Sequence, residues 1–259
     1  MEIRFSKYQG AGNDFILIDD RAGQIRPDTD LFNRLCNRRF GIGADGLMLV
    51  RDHPEFDFEM HYFNADGREG SMCGNGGRCI ALFARDLGIT GSETHFLAVD
   101  GPHRASISGE QVSLEMKDVN QIERSGNDYI LDTGSPHYVR MENDLENLDV
   151  VGQGRAIRYN ERFRDQGINV NFVQPVADRF AVRTYERGVE NETFACGTGV
   201  TAVALAMAVK EQLYGDQHIT LQARGGTLSV RFTRTGEQSF SGVYLIGPAS
   251  FVYRGEIFI

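Results

Sequence analysis

The chain has 259 residues, 41% of them hydrophobic and 24% charged. Such values exclude disordered and fibrous classes and fit one large or two small domains. Its 27 basic side chains against 36 acidic ones leave a net charge of −9, which argues against a nucleic-acid backbone or an anionic membrane as main partner.

The opening Met1-Glu-Ile-Arg-Phe-Ser-Lys7 alternates charged and apolar residues, so it reads as a strand rather than a leader peptide. A helix is expected at about 28–38, then Gly41-Ile-Gly-Ala-Asp-Gly46, then an apolar strand from Leu47 to Val50. The glycine run matches G-x-G-x-x-G, but a dinucleotide fingerprint needs a strand before it and a helix after it. Here the order is reversed, and the run reads as a structural turn. Phe56 to Phe63 alternates as a strand, and a helix is expected over 75–88, stopped by Gly88. Period-two alternation returns from Arg104 to Met116 and from Arg179 to Glu186. A second helix is expected over 198–213, followed by alternation from Gln217 to Phe232. Its apolar stretch, Val200 to Val209, is far short of the roughly 20 residues that span a membrane. Arg34, Arg38 and Arg39, and again Arg155, Arg158, Arg162 and Arg164, read as solvated helix faces.

Several cofactor classes find no support. The only lysines, Lys7, Lys117 and Lys210, have no pocket motif around them, which disfavours a Schiff-base cofactor. The six histidines form no H-x-x-x-H pair, and Cys73 with Cys79 lacks zinc spacing. No cofactor and no metal are expected. Four cysteines are too few for a disulfide framework at this length, and reduced thiols in a cytoplasmic protein are expected.

The chain is written twice. Cys73-Gly-Asn-Gly-Gly-Arg-Cys-Ile-Ala-Leu recurs as Cys196-Gly-Thr-Gly-Val-Thr-Ala-Val-Ala-Leu, an offset of 123 residues. Gly12-Asn-Asp-Phe and Gly134-Ser-Pro-His stand 122 apart, and Gly101 and Gly225 open strand runs 124 apart. A collinear set of this kind indicates two homologous halves. The expected class is α+β, with two pseudo-symmetric lobes, 1–120 carrying Cys73 and 121–259 carrying Cys196. Each would be a mostly antiparallel, strand-rich unit around one central helix, and the return of the last strands to the first lobe is left open. A small ligand would occupy the cleft between such halves.

Cys36 and Cys79 read as core residues. Cys73 and Cys196 differ, because each stands just before a helix and is followed by glycines. At a helix N-terminus the dipole and the unpaired N–H groups favour a thiolate and can hold an anion. Two such cysteines at matching positions imply two activated sulfurs on one ligand. A nucleophilic hydrolase would need one cysteine and a base, and a dithiol oxidoreductase usually carries C-x-x-C. Stereoinversion next to a carboxylate fits better, with one thiolate removing the α-proton and the opposite thiol returning one.

These residues resemble the diaminopimelate epimerases over essentially the full length. The resemblance rests on Tyr8-Gln-Gly-Ala-Gly-Asn-Asp-Phe, Phe63-Asn-Ala-Asp-Gly, Ser71-Met-Cys-Gly-Asn-Gly-Gly-Arg-Cys, Gly134-Ser-Pro-His, Asn169-Val-Asn-Phe, Tyr185-Glu-Arg-Gly and Ala195-Cys-Gly-Thr-Gly. It implies barrel-like lobes, a homodimer, and cofactor-free interconversion of LL- and meso-2,6-diaminoheptanedioate for lysine and peptidoglycan synthesis. It further implies Cys73 as proton donor and Cys196 as acceptor, with His137 and Glu186 modulating thiol protonation. Gly74, Asn75, Gly197 and Thr198 would bind the reacting carboxylate, and Glu186 the reacting ammonium. Asn13, Asn64, Asn169 and Arg187 would hold the distal end. Ser135 and Gly46 depart from the family, which often has asparagine at the first and in some members glutamine at the second. The alternatives are a proline-racemase-like isomerase of the same architecture and a non-catalytic amino-acid-binding module.

Overall fold

The computed structural model describes residues 2–70 and 72–258. Met1, Ser71 (which opens the quoted Cys73 motif) and Ile259 lie outside them. The chain divides into two compact units, Met1–Leu114 with Gly247–Ile259, and Glu115–Ile246. The class is α+β.

The first unit contains β1 (Glu2–Gly10), β2 (Asn13–Asp19), α1 (Thr29–Cys36), β3 (Gly46–Arg51), β4 (Glu59–Asn64), α2 (Gly74–Asp86), β5 (Glu93–Ala98), β6 (Gly101–Ser108) and β7 (Gln111–Glu115). The second contains β8 (Ile122–Ser125), β9 (Asp128–Asp132), β10 (Pro136–Met141), α3 (Val150–Arg158), β11 (Asn169–Val176), β12 (Arg179–Glu186), β13 (Asn191–Thr193), α4 (Gly197–Lys210), β14 (Gly215–Ala223), β15 (Gly226–Arg234) and β16 (Phe240–Pro248). The final strand, β17 (Ser250–Phe258), belongs to the first unit and pairs with β1.

Strand pairing repeats between the units. From β17 through β1, β2, β3, β4, β5 and β6 to β7 the neighbours run antiparallel, antiparallel, parallel, antiparallel, parallel, antiparallel, antiparallel. From β8 through β9, β10, β11, β12, β14 and β15 to β16 the order is the same. The register repeats too: Phe15 faces Gly46 as His137 faces Asn169. So β17, the last strand of the chain, fills in the first unit the place that β8 fills in the second.

In each unit the strands carry a buried helix on one face. Every residue of α2 from Gly74 to Ala84 is buried. Helix α4 is apolar all round and touches β9, β10, β11, β12, β14 and β15, the signature of a helix enclosed by its surroundings. The other face is covered by α1 or α3. Asp28 caps α1 by accepting from the Leu31 N–H at 3.0 Å, and Asp149 caps α3 from Gly152 at 2.9 Å, which satisfies first-turn donors. Phe32, Leu35 and Cys36 then bury against Ile16, Ile18, Leu47, Leu49 and Phe63. Val150 and Ile157 bury against Tyr138, Val170, Phe172 and Tyr185. Among the described residues no helix is long and apolar enough to cross a membrane.

Two expectations need correction. The strand expected from Phe56 begins only at Glu59, because the Asp57 carboxylate accepts from the His95 N–H at 2.7 Å and the Thr94 hydroxyl at 3.2 Å and holds that stretch as a bend. The arginine clusters are not simply solvated helix faces. Arg38 lies past the end of α1 in ion pairs with Asp14 and Asp45, and the Arg158 side chain is only 12% exposed, stacked on Tyr159 and donating to the Phe163 and Arg164 carbonyls.

Candidate active site

Cys73 is the N-cap of α2, with φ −111° and ψ 121°, and Cys196 is the N-cap of α4, with φ −109° and ψ 112°. Neither side chain caps its own helix, so the first-turn N–H groups gain no bond from the sulfur. The glycines behind them have a packing cause. A Cβ on Gly76 would stand 2.6 Å from the Met48 Cε, and one on Gly199 would stand 2.4 Å from the Asn171 Oδ1. Bare backbone there lets β3 and β11 press against the first helical turn. Cys36 and Cys79 are 3% and 0% exposed, and burial pushes both thiols up to about 12, which leaves them inert at neutral pH.

Around Cys73 the first unit gathers amides. The two-residue turn at Ala11 and Gly12, with φ 52° and 83°, is a tight hairpin of the left-handed kind and sets Asn13 at the start of β2. The Cys73 Sγ lies 3.7 Å from the Asn13 Oδ1, which also accepts from the Asn75 Nδ2 at 3.3 Å. The Asn13 amide nitrogen donates to Asp45 at 2.7 Å. Asp45 and Asp14 share the Arg38 guanidinium, and Asp14 also accepts from the buried Lys7 ammonium at 2.6 Å. Sequence reasoning missed Arg78. It is fully buried in α2 and donates to the Asn75 Oδ1 at 2.9 Å and the Gly74 carbonyl at 3.2 Å. Burial lowers its pKa, opposed by the fields of Cys79 and Cys73. The only signal for it was a charged residue on the otherwise apolar helix stretch.

Around Cys196 the second unit places a hydroxyl and an imidazole. The Thr198 Oγ1 lies 3.5 Å from the Cys196 Sγ and 2.9 Å from the His137 Nε2. His137 is completely buried. Desolvation, with the field of Arg187 added, pushes its pKa down to about 3, so the ring is neutral at physiological pH. Glu186 ends β12 and accepts a hydrogen bond from the Thr193 hydroxyl. Asn169 accepts from the Arg187 N–H at 2.9 Å and donates to the Ser135 Oγ at 2.8 Å and the Pro136 carbonyl at 3.1 Å. Arg187 reaches back to the Gln166 carbonyl at 2.9 Å.

The expected residues thus fall into one cluster of Asn13, Cys73, Gly74 and Asn75, a second of His137, Cys196, Gly197 and Thr198, and a third of Ser135, Asn169 and Arg187. Asn64 is exposed at the end of β4, opposite Gly46. The departure at Gly46 has a physical reason: a Cβ there would lie 2.5 Å from the Tyr62 Cε2 and 2.8 Å from the Phe63 carbonyl oxygen. The Tyr62 ring fills the room that a longer side chain would take. Ser135 holds Asn169 directly.

The diaminopimelate epimerase family model matches residues 5–128 and again 129–252. The chain belongs to the diaminopimelate epimerase family. It is 46% identical to the diaminopimelate epimerase of Flavobacterium psychrophilum over 98% of this chain and all of that one. Identity to the Chlorobaculum tepidum diaminopimelate epimerase is 43%, covering 96% of this chain and 98% of the other. In fold it is similar to a phenazine biosynthesis protein of the PhzF family from Bacillus anthracis, with TM-score 0.77, 14% identity and full coverage of both chains. A probable proline racemase from Agrobacterium radiobacter gives TM-score 0.72 at 14% identity, covering 99% of this chain and 93% of that one. These two likenesses concern architecture alone. Family membership makes the chain an isomerase.

Proposed function

We propose that this protein epimerises LL-2,6-diaminoheptanedioate to the meso form, without a cofactor, in the supply of lysine and peptidoglycan precursors. The observation that carries the reading is the pair of cysteines with matching N-cap geometry in two repeated units of a diaminopimelate epimerase chain. Cys196 takes the α-proton from one face of the carbon, and Cys73 returns a proton to the other. The N–H groups at Gly74, Asn75, Gly197 and Thr198 hold the reacting carboxylate, where charge builds up as the proton leaves. Glu186 takes the reacting ammonium, a charge-assisted bond. Asn13, Asn64, Asn169 and Arg187 take the distal end. His137 acts on the thiols as a neutral, fixed group, since its depressed pKa keeps it from titrating near pH 7.

The working form is a homodimer in the cytoplasm. Supporting association, β17 exposes apolar side chains, with Val252 at 51% and Phe258 at 73% exposure. The substrate test is kcat/KM for LL-diaminopimelate, alanine, lysine and proline. A simple amino acid leaves the distal amides and guanidinium unpaired, at roughly 1–3 kcal/mol each, and should be turned over poorly. Equal turnover of proline would replace this reading with the racemase one.

A further inference from the structure

Behind Thr198 a run of buried hydrogen bonds continues across β10, β11 and β12. The Thr184 Oγ1 lies 3.0 Å from the Asn171 Oδ1. The Asn171 Nδ2 lies 3.1 Å from the His137 Nδ1 and 3.1 Å from the Tyr138 carbonyl oxygen. Thr184, Asn171 and His137 are 3%, 0% and 0% exposed, so water does not compete for these bonds.

Chemistry sets the direction of each one. A backbone carbonyl only accepts, so the nitrogen of the Asn171 amide faces Tyr138, and the amide orientation follows. The amide oxygen therefore accepts from the Thr184 hydroxyl. The same amide nitrogen donates to the His137 Nδ1, which carries no proton. Because the imidazole is neutral, its one proton sits on Nε2 and is donated to the Thr198 Oγ1. The Thr198 hydroxyl, having accepted there, has its own proton to donate to the Cys196 sulfur.

We propose that Asn171 and Thr184 are positioning residues that make Cys196 the resting thiolate of the pair, by locking His137 as a fixed donor behind Thr198. A hydrogen bond to an ionised acceptor is about twice as strong as one between neutral groups, so a donor aimed at sulfur favours the charged form. Among the described residues the first unit repeats the strand register but not the histidine and asparagine of this run. At the repeat offset, Phe15 stands for His137 and Met48 stands for Asn171, both apolar. There the Cys73 sulfur meets the Asn13 Oδ1 instead, an acceptor whose amide nitrogen is committed to Asp45 at 2.7 Å. An acceptor favours S–H. Two cysteines with the same backbone geometry are thereby given different protons to hold, and Cys196 is poised to take one while Cys73 is poised to give one. The charged groups at this end of β12 are Arg187, whose field reaches His137, and Glu186, held by the Thr193 hydroxyl.

The inference rests on the two-thiol reading, yet its test needs no substrate. Alkylation of the substrate-free protein by iodoacetamide is followed against pH and read separately at each cysteine by peptide mass mapping. In the unaltered protein the Cys196 midpoint should lie below that of Cys73. Asn171→Leu should raise the Cys196 midpoint by about one pH unit, about tenfold in thiolate affinity for its proton, and leave Cys73 in place. Thr184→Val, which keeps the shape of the side chain, should move it less in the same direction and carries the test if Asn171→Leu does not fold. Overturning results are a Cys196 midpoint at or above that of Cys73 in the unaltered protein, no movement in the folded variants, or an equal movement of both cysteines. Failure of the epimerase reading would look different, as an intact alkylation pattern with no turnover of diaminopimelate.

Discussion

Asp14→Asn removes the carboxylate that binds Lys7 and Arg38 together. The Lys7 side chain is 5% exposed and lies 2.6 Å from Asp14, itself 20% exposed. Breaking a buried pair by removing one partner costs about 3–5 kcal/mol. Lys7 keeps the Gly43 carbonyl as a partner and Asp14 is partly wet, so the low end applies, ~3 kcal/mol. Proton linkage gives a second route to the number. Burial alone would raise the Asp14 pKa, but the hydrogen bonds from Arg38 and Lys7 outweigh it and hold the carboxyl at about 2, below its ordinary 3.8. That difference corresponds to ~2 kcal/mol. A depressed carboxylate contributes stability above its unfolded pKa and loses it as pH falls through the folded one. The gap between Asp14→Asn and the unaltered protein should therefore be ~2–3 kcal/mol at pH 7 and close between about pH 4 and pH 2. Guanidinium unfolding followed by far-UV circular dichroism measures it, at constant m. Lys7→Met together with Asp14→Asn should recover most of the loss, since neither charge is then left alone. A gap under ~0.5 kcal/mol at pH 7, the range of ordinary surface changes, or one that persists at pH 2, would refute the reasoning.

Three further outcomes are expected. Cys36→Ala and Cys79→Ala should lower the unfolding midpoint, by ~1 kcal/mol for each buried group lost, and leave turnover unchanged. Gly46→Ala should cost ~1–3 kcal/mol by overpacking, because the Phe63 backbone oxygen as well as the Tyr62 ring stands in its way; calorimetry reads this directly. Ser135→Ala removes the 2.8 Å partner of the Asn169 amide and should raise KM for diaminopimelate up to about tenfold with a smaller change in kcat, as for loss of about one hydrogen bond.

The repeat made both helix starts legible, because Cys-Gly-x-Gly ahead of an apolar run is a local pattern with a local cause. The strand at 179–186 was legible from alternation alone. What escaped depends on residues far apart in sequence. Nothing near Asp57 announces that its carboxylate will take the His95 N–H. Nothing near Asn171 announces that strand pairing will lay it against His137, 34 positions away. Nothing near Arg78 announces that its guanidinium will be fully buried. Gly46 read as a turn glycine, and only the neighbouring strand β4, with Tyr62, supplies its packing reason.

The central claim is that two thiols exchange the α-proton of one substrate carbon. The direct measurement is solvent deuterium uptake at the α-carbon of LL- and meso-diaminopimelate in heavy water, read by proton NMR for the unaltered protein, Cys73→Ala and Cys196→Ala. The account predicts uptake that accompanies epimerisation in the unaltered protein and loss of epimerisation in both variants, since each face of the carbon then lacks its proton carrier. Epimerisation at an undiminished rate by purified Cys73→Ala or Cys196→Ala would contradict it.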